Sequence, residues 1–211
     1  MQASKSIPFI SGIILAAGAS SRMGQPKQLL PLRGRPLLQH VIDEAAASCL
    51  AEIILVLGYR AEQISRAIRM PDKGARVIIN SDYAQGQSTS LRVGLRSASP
   101  KAEAAAILLG DQPQVNASLI DRVAAGFLSA GVPIVRPLYA SPDGRSLPGH
   151  PVFVARRIYA EIEKLDGDQG VRGLIALHPD WLLEIPIQGA PPADIDTRAD
   201  YVREAGDDVA Q

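Results

Sequence analysis

Two cationic side chains, Arg22 and Lys27, lie in a glycine-punctuated segment near the start of the sequence. Gly18 and Gly24 can adopt positive φ without a Cβ penalty, so backbone N–H groups there can converge on an anion, and the two side chains add full positive charges. The first acidic residue of the chain is Asp43, so no carboxylate neutralises the segment locally. Backbone donors and cations in this pattern predict a site that holds a triphosphate.

The glycine spacing excludes two better-known phosphate loops. A dinucleotide fingerprint requires G-x-G-x-x-G directly after a strand, whereas the glycine after Gly18 is Gly24. An ATPase-type loop requires a lysine directly after its last glycine, whereas Gln-Pro separates Gly24 from Lys27. The alternatives are a solvated surface turn or a secretory signal, but the apolar run at 7–17 is too short to span a bilayer, and cleavage would discard the first strand. We therefore expect a phosphate loop of a third kind.

An acidic residue, Asp111, follows another buried run, at 107–109. A hard cation such as Mg²⁺, or Mn²⁺ in its place, prefers one or two carboxylates together with phosphate oxygens. Asp196 offers the second carboxylate. The alternatives are a turn-capping role for Asp111 and a helix N-terminal role for Asp196. The sequence favours a metal site at Asp111 and leaves Asp196 open between the two roles.

Strands must end beside one another to bring these residues together, and the hydrophobic pattern predicts such strands. Strand-like runs alternate with helix-like stretches: 13–16, 37–49, 53–57, 61–70, 77–79, 88–97, 105–109 and 117–128. This alternation implies crossover connections and ligands beyond the carboxyl ends of parallel strands. We expect an α/β fold, a single-domain three-layer α/β/α sandwich with a Rossmann-like, mostly parallel sheet, over residues 1–211, with flexible tails at 1–8 and 206–211.

An antiparallel excursion is predicted after residue 133. Strands at 134–138 and 152–155 flank a Ser-Pro-Asp-Gly turn at 141–144. Helices at 156–165 and 171–178 and a strand at 182–186 follow, and Thr197-Arg198-Ala199-Asp200 is typical of the start of a last helix.

Composition limits the partners. Lys+Arg and Asp+Glu both total 22, so there is no global charge to recruit nucleic acid or an anionic membrane, and we expect small-molecule ligands. The single cysteine, Cys49, is compatible with a reducing cytoplasm, where we expect the protein to act. His40, His150 and His178 lack the spacing of zinc ligands.

Five motifs together carry a resemblance to a known family. In order they are LAAGASSRMGQPKQLLPL, NSDYAQGQSTSLRVGL, GDQP, PGHPVF and DIDTRADY. The chain resembles the molybdenum cofactor cytidylyltransferases of the MobA-like nucleotidyltransferase superfamily, whose fold is of the nucleotide-diphospho-sugar transferase type. The opening motif is shared by many nucleotidyltransferases, and the later motifs narrow the match. Ala16-Ala17-Gly18 is similar to the cytidylyl form, because guanylyl relatives usually have Ala-Gly-Gly there.

The resemblance implies a reaction in which the terminal phosphate of molybdopterin attacks the α-phosphorus of CTP and releases pyrophosphate. It implies that Arg22 and Lys27 clamp the triphosphate and that Asp111, with Asp196, holds Mg²⁺. It implies that Ala16, Ala17 and Gly18 line the base and ribose and that Ser90 lies near the base, with Leu15 and Asn80 in the same binding set. Gly149, His150, Asp168 and Arg172 are its candidates for the pterin side. A recipient molybdoenzyme or its chaperone would be a further partner.

Alternatives stand beside several of these roles. His150 would otherwise hydrogen-bond a loop carbonyl, Arg172 and Asp168 would form a surface ion pair, and residues 88–90 would be helix caps. Two other functions also suit the opening motif and the superfamily: nucleotidyl transfer to a sugar or alditol phosphate, and a nicotinamide-dependent oxidoreductase on the same fold.

Overall fold

The computed structural model describes residues 8–140 and 144–206. Both predicted tails therefore lie outside the described residues except for residues 8 and 206, as does the predicted turn at 141–144 except for Gly144. The strands are β1 Ile10–Ala16, β2 Pro31–Leu32, β3 Arg35–Pro36, β4 Glu52–Leu57, β5 Arg76–Ile79, β6 Ala104–Leu109, β7 Ile134–Ala140, β8 Ser146–Pro148, β9 Val152–Ala155 and β10 Leu182–Gln188. The α-helices are α1 Leu37–Ala47, α2 Ala61–Ala67, α3 Gln87–Arg96, α4 Ala117–Ala130, α5 Tyr159–Ile162, α6 Gly170–Leu177 and α7 Arg198–Ala205.

One mixed sheet forms the centre of the molecule. Its strand order is β10-β7-β9-β6-β1-β4-β5, and β8 pairs with β7 outside this path. β1 is parallel to both β4 and β6, whereas β9 is antiparallel to β6 and β7. The predicted α/β fold with a mostly parallel sheet and an antiparallel excursion is confirmed.

Helices cover both faces of the sheet because its central strands are apolar on both sides. In β1, Ile14 packs into a cluster with α1, α2 and α4, while its neighbour Ile13 packs into a second cluster with α3, α5 and α6. Consecutive strand residues point to opposite faces, so a run of apolar residues buries both. The three predicted layers follow directly. In the part of the chain that the structure describes, no helix is long and apolar enough to cross a membrane.

The structure differs from the predicted elements in a few places. The predicted helix at 156–165 is a 3-10 turn, Arg156–Ile158, followed by the single-turn α5. The helix predicted at 61–70 ends at Ala67, because Ile68 is extended and Pro71 follows. The β2–β3 hairpin and β8 were not predicted, since two or three residues are too short to show a periodicity. Thr197 does cap α7 in a capping box with Asp200, as predicted.

Candidate active site

A cleft of about 870 Å³ opens beyond the carboxyl ends of β1 and β6. The two strands run in register, with Leu15 opposite Leu109, so the turns that follow them lie side by side. Most of the predicted site residues line this cleft: Leu15, Ala16, Ala17, Gly18, Lys27, Ser90, Asp111, Gly149, His150, Asp168 and Arg172. Arg22, Asn80 and Asp196 lie behind or beside its walls. The predicted edge of the sheet is therefore where the candidate residues collect.

Four charged side chains meet at one side of the cleft. Lys27 Nζ contacts Asp111 Oδ2 at 2.5 Å and Asp196 Oδ1 at 2.7 Å, and Arg22 Nη2 lies 3.3 Å from Asp196 Oδ2. A backbone hydrogen bond from Ile195 N to Asp111 O, 3.3 Å long, brings the distant Asp196 to this place. The segment that carries Arg22 and Lys27 is thus not a bare cationic surface, because two carboxylates from later in the chain balance its two cations.

The protonation of this cluster depends on burial and on the contacts within it. Burial of the ammonium opposes protonation of Lys27, but the contacts with Asp111 and Asp196 outweigh it and raise the pKa of Lys27. Burial raises the pKa of Asp111, and the charge of Lys27 offsets this only in part. The hydrogen bond from Lys27 lowers the pKa of Asp196, which is closer to solvent. Asp111 is therefore the carboxylate that most needs a neighbouring cation to stay ionised.

The segment between β1 and Lys27 is held by a buried glutamine. Gln28 Nε2 donates to the carbonyl oxygens of Ala16 at 2.9 Å and Gly18 at 3.3 Å, and the backbone N–H of Lys27 donates to Ser20 Oγ at 3.2 Å. Of the two glycines that can adopt positive φ, Gly24 does so, at 67°, and Gly18 does not; the other left-handed residue of this segment is Ser20, at 52°. The loop is thus shaped by side-chain hydrogen bonds as well as by glycine.

The start of α3 forms another wall, and Asn80 supports it from behind. The Asn80 side chain is buried and donates to Thr89 Oγ1 at 2.8 Å and Ser90 Oγ at 2.9 Å. Of residues 88–90, Ser90 alone lines the cleft. The alternative role of these residues as helix caps is wrong, because α3 has Gly86 at its N-cap and no side-chain cap from them. Asn80 therefore orients the hydroxyl groups rather than lining the cleft.

A neighbouring segment at 167–170 packs over the start of α3. Gln87 N donates to Asp168 Oδ1 at 2.9 Å, and Ser88 N donates to the carbonyl of Gly167 at 3.0 Å. At Gly86, with φ of 113°, an added Cβ would lie 2.5 Å from the carbonyl carbon of Gly167, so only glycine permits this approach. Asp168 is thus bonded to the α3 backbone and not, in the described part of the chain, to Arg172.

Gly149, His150 and Arg172 form another part of the cleft lining. A Cβ at Gly149 would meet Tyr139 Cε2 at 2.6 Å, so the backbone approaches the aromatic ring closely. Desolvation in the wall lowers the pKa of His150 to about 4, so the imidazole is neutral at physiological pH. Within residues 8–140 and 144–206, no hydrogen bond joins His150 to a loop carbonyl, so that alternative role is not seen.

A divalent cation fits the residues present. Asp111 and Asp196 already direct their oxygens at one cationic group, the Lys27 ammonium. The described residues contain no cluster of three or more His, Cys, Asp or Glu side chains that would hold a metal without other ligands. Phosphate oxygens and water must complete the coordination, which is the arrangement that Mg²⁺ prefers.

Several cleft residues were not predicted from the sequence. They include Gln28, the 83–87 segment, Gln112 and Asp194. Gln112 Nε2 donates to Asp194 Oδ1 at 2.7 Å, which ties the GDQP turn to the segment before α7. Both belong to or adjoin motifs already singled out, so the motifs carried a signal for them. Gln28 lies in the opening motif as well, but a glutamine in a polar loop gives no indication that its side chain is buried.

Comparison with known proteins places this chain in a family. The model of the MobA-like NTP transferase domain matches residues 12–182. Among curated proteins, nicotine blue oxidoreductase of Paenarthrobacter nicotinovorans is 28% identical over 184 residues, which are 85% of this chain and 87% of that protein. The bifunctional protein GlmU of Burkholderia mallei is 34% identical over 134 residues, covering 63% of this chain and only 29% of that longer protein.

Solved structures agree with the fold. Rv0371c of Mycobacterium tuberculosis H37Rv has a TM-score of 0.81 at 32% identity, covering 95% of this chain and 98% of that chain. A complex of Rv0371c with manganese has a TM-score of 0.77 at 31% identity, covering 95% and 99%. A nucleotidyl transferase from Methanothermobacter has a TM-score of 0.75 at 25% identity, covering 96% and 98%.

Proposed function

The chain belongs to the MobA-like NTP transferase family, and we propose that within it the protein transfers CMP from CTP to the terminal phosphate of molybdopterin, releasing pyrophosphate. The product would be the cytosine dinucleotide form of the cofactor. The observation that carries the proposal is the balanced cluster of Arg22, Lys27, Asp111 and Asp196 at the mouth of the phosphate loop. Cations for phosphates and carboxylates for a metal meet there within hydrogen-bond distance of each other.

The chemistry needs alignment and charge stabilisation rather than a general base. A phosphate nucleophile is already anionic near neutral pH, so no side chain has to take a proton from it. The neutral His150 is consistent with this, since it need not act as a base. Arg22 and Lys27 would hold phosphate oxygens of CTP, and the Ala16 to Gly18 backbone would approach the nucleoside. Mg²⁺ or Mn²⁺, bound by Asp111 and Asp196, would supply neutralisation of phosphate charge.

Ala17 supports the choice of CTP. It is buried in the cleft wall, and its carbonyl accepts a hydrogen bond from Tyr59 N at 3.1 Å, so its methyl group cannot easily move aside. A methyl at this position crowds a purine more than a pyrimidine, and one methyl is typically worth about 1 to 3 kcal/mol in discrimination. The hydrogen-bonded backbone at Ala17 therefore supports a preference for cytosine, the smaller base.

A direct assay tests the function. The protein is incubated with Mg²⁺, purified molybdopterin and each of CTP, GTP, ATP and UTP in turn, and pyrophosphate is measured. A parallel series replaces molybdopterin by a sugar or alditol phosphate. We expect release chiefly with CTP and molybdopterin together. Equal release with GTP would contradict the nucleotide assignment, and equal release with a sugar phosphate would contradict the acceptor.

The similarity to an oxidoreductase supports one second candidate. Nicotine blue oxidoreductase covers most of this chain, and its name describes redox chemistry on a related sequence. This second candidate is tested in the same preparation by measuring the oxidation of NADH or NADPH through its absorbance, with a quinone-like dye as the electron acceptor. Nicotinamide oxidation without any pyrophosphate release would replace the transferase proposal by this one.

A further inference from the structure

The segment after β10 forms a strap, residues 191–206, which carries Asp196 and ends in α7. Ile195 and Ala205, 1% and 7% exposed, are the two buried residues of this range, and its other residues are exposed or half-buried. None of its residues, all of which the structure describes, belongs to the two large apolar clusters on the faces of the sheet. The strap is therefore attached to the molecule through a small number of contacts.

A third, smaller apolar cluster docks the strap on the β2–β3 hairpin. Its buried members are Leu32, Leu37, Ile195 and Ala205. Tyr201 packs against this cluster, and its hydroxyl donates a hydrogen bond to the carbonyl of Pro31. Because few buried apolar residues hold the strap, its release requires less free energy than unfolding of the sheet and its helices.

Gln114, in the loop between β6 and α4, fastens the strap near both of its ends. Its Oε1 accepts a hydrogen bond from Ala193 N at 3.1 Å, and its Nε2 donates to Glu204 Oε2. Gln114 is itself exposed and does not line the cleft. Its two hydrogen bonds therefore hold the strap and do not contact a ligand in the cleft.

Docking of the strap decides whether Asp196 reaches the charged cluster. Ile195 lies directly before Asp196; its side chain packs in the small cluster, and its N–H donates to Asp111 O at 3.3 Å. The Asp196 side chain is 39% exposed, so its own burial contributes little to its position. A divalent cation can bind Asp111 and Asp196 together only while the strap is docked, and a ligand that binds one of two states shifts the population toward that state.

We propose that Ile195 and Gln114 are positioning residues for the metal, because they dock the strap and thereby hold Asp196 beside Asp111. Since coupling between binding free energies is reciprocal, the metal with its nucleotide in turn stabilises the docked strap. This inference rests on the proposed transferase function, and it assigns a role in that reaction to residues that do not line the cleft. Loss of docking should raise the metal requirement and leave the rest of the fold intact.

Two isoleucine variants separate positioning from folding. Ile195→Ala removes a side chain that docks the strap, whereas Ile162→Ala removes one that is 0% exposed, from a cluster that the strap does not join. Calorimetry measures Mn²⁺ affinity in the presence of CTP, and thermal melting measures the stability of the fold.

The two variants should behave in opposite ways. We expect Ile195→Ala to melt near the wild-type temperature but to bind Mn²⁺ about tenfold more weakly, the result when the docked fraction falls to about one tenth. Ile162→Ala should lower the melting temperature and keep the wild-type affinity. The conservative variant Ile195→Val should recover most of the affinity that Ile195→Ala loses.

Hydrogen exchange observes the strap directly. In wild type, Mn²⁺ with CTP should slow exchange of the amide groups at 195–205 by about tenfold or more, since these groups exchange when the strap is released. The amide groups of β4, which is buried throughout, serve as the internal reference and should not change. Ile195→Ala should lose most of the protection in the strap.

Gln114→Ala covers the case in which Ile195→Ala does not fold, because Gln114 is exposed. Loss of its two hydrogen bonds should weaken Mn²⁺ affinity by about 3- to 10-fold. The Mg²⁺ concentration for half-maximal pyrophosphate release should rise by the same factor, while the rate at saturating Mg²⁺ stays near that of wild type. A purely structural loss would lower the rate at every Mg²⁺ concentration.

Wild-type metal affinity in a folded Ile195→Ala or in Gln114→Ala overturns the proposal. So does exchange in the strap that Mn²⁺ with CTP does not slow, or a loss of metal affinity in Ile162→Ala as large as that in Ile195→Ala. If the transferase proposal alone is wrong, CTP and molybdopterin release no pyrophosphate, yet Mn²⁺ with CTP still slows exchange in the strap. If the strap proposal alone is wrong, pyrophosphate release persists and both variants need no more metal than wild type.

Discussion

Replacing Lys27 by methionine separates two roles that the structure gives this side chain. Its ammonium contacts Asp111 Oδ2 at 2.5 Å and Asp196 Oδ1 at 2.7 Å, so it occupies the place between two carboxylates that a divalent cation would take. Lys27→Met keeps most of the length of the side chain and removes its charge. We therefore expect the variant to bind Mn²⁺ more tightly than wild type when no nucleotide is present, although it transfers CMP more slowly.

The size of both effects follows from the contacts. A hydrogen bond to a charged group is worth about 1.5 to 3 kcal/mol net, and an incoming cation must displace two of them in wild type. Hydration of the released ammonium returns part of this energy, which leaves an expected gain in Mn²⁺ affinity of about 10- to 100-fold in Lys27→Met. Loss of a preorganised contact with developing phosphate charge should lower the transfer rate by about 100-fold or more.

Calorimetric titration with Mn²⁺ in the absence of nucleotide measures the first effect, and pyrophosphate release measures the second. The matched control is Lys164→Met, since Lys164 is 69% exposed, pairs with Glu161 and, like Glu161, does not line the cleft. This control should match wild type in both assays. Equal or weaker Mn²⁺ binding by Lys27→Met would refute the idea that the ammonium holds the place of the metal.

Three further predictions follow from other contacts. Ala17→Gly should raise GTP turnover relative to CTP by about 5- to 100-fold, measured by pyrophosphate release with each nucleotide, and an unchanged ratio would argue against the methyl as the discriminator. Asp111→Asn should melt near the wild-type temperature but lose most transfer, with only partial recovery at high Mg²⁺; full activity with the usual metal dependence would make Asp111 a turn residue. Glu52 is buried, and desolvation by itself would raise the pKa of its carboxyl group. Hydrogen bonds, led by that from Ser11, nevertheless hold this pKa below the usual value. The stabilisation of the fold by the Glu52 carboxylate is therefore present above about pH 4.5 and is lost as the pH falls through the lowered pKa. Glu52→Gln should lower the free energy of unfolding by about 1 to 3 kcal/mol at pH 7 and flatten the acid limb of a plot of melting temperature against pH. An acid limb as steep as that of wild type would contradict this.

The fold was largely predictable because its signals are local or periodic. The apolar run that includes Ile13 and Ile14 indicates a strand buried on both faces. Thr197 and Asp200, three positions apart, have the pattern of a capping box and so indicate the start of α7. The elements that were not predicted are those with too few residues to show a hydrophobic periodicity. β8 and the β2–β3 hairpin exist because the neighbouring chain supplies partners, and no property of their own sequences specifies this.

The site was predictable in its members but not in their pairing. Lys27, Asp111 and Asp196 each stand in a motif, yet 84 residues separate the first two and 169 separate Lys27 from Asp196. The sequence near Lys27 holds only cations, so it predicts a positive surface, whereas the folded cluster is balanced. Gln28 is a second example of this limit, because its buried side chain donates to the carbonyls of Ala16 and Gly18, which it meets only in the folded chain.

The balance of charge in the cluster implies that metal and nucleotide bind together. Arg22 and Lys27 offset Asp111 and Asp196, so the cluster carries no net formal charge. A divalent cation bound alone would give the site a net charge of +2, and a triphosphate with about four negative charges bound alone would give about −4. Bound together they leave about −2, because the metal offsets two of the negative charges of the triphosphate. A nucleotide without its metal therefore places more uncompensated negative charge beside the buried Asp111 than a nucleotide with its metal, which penalises its binding alone. Lys27→Met removes this coupling, which is why its metal affinity and its transfer rate are expected to change in opposite directions.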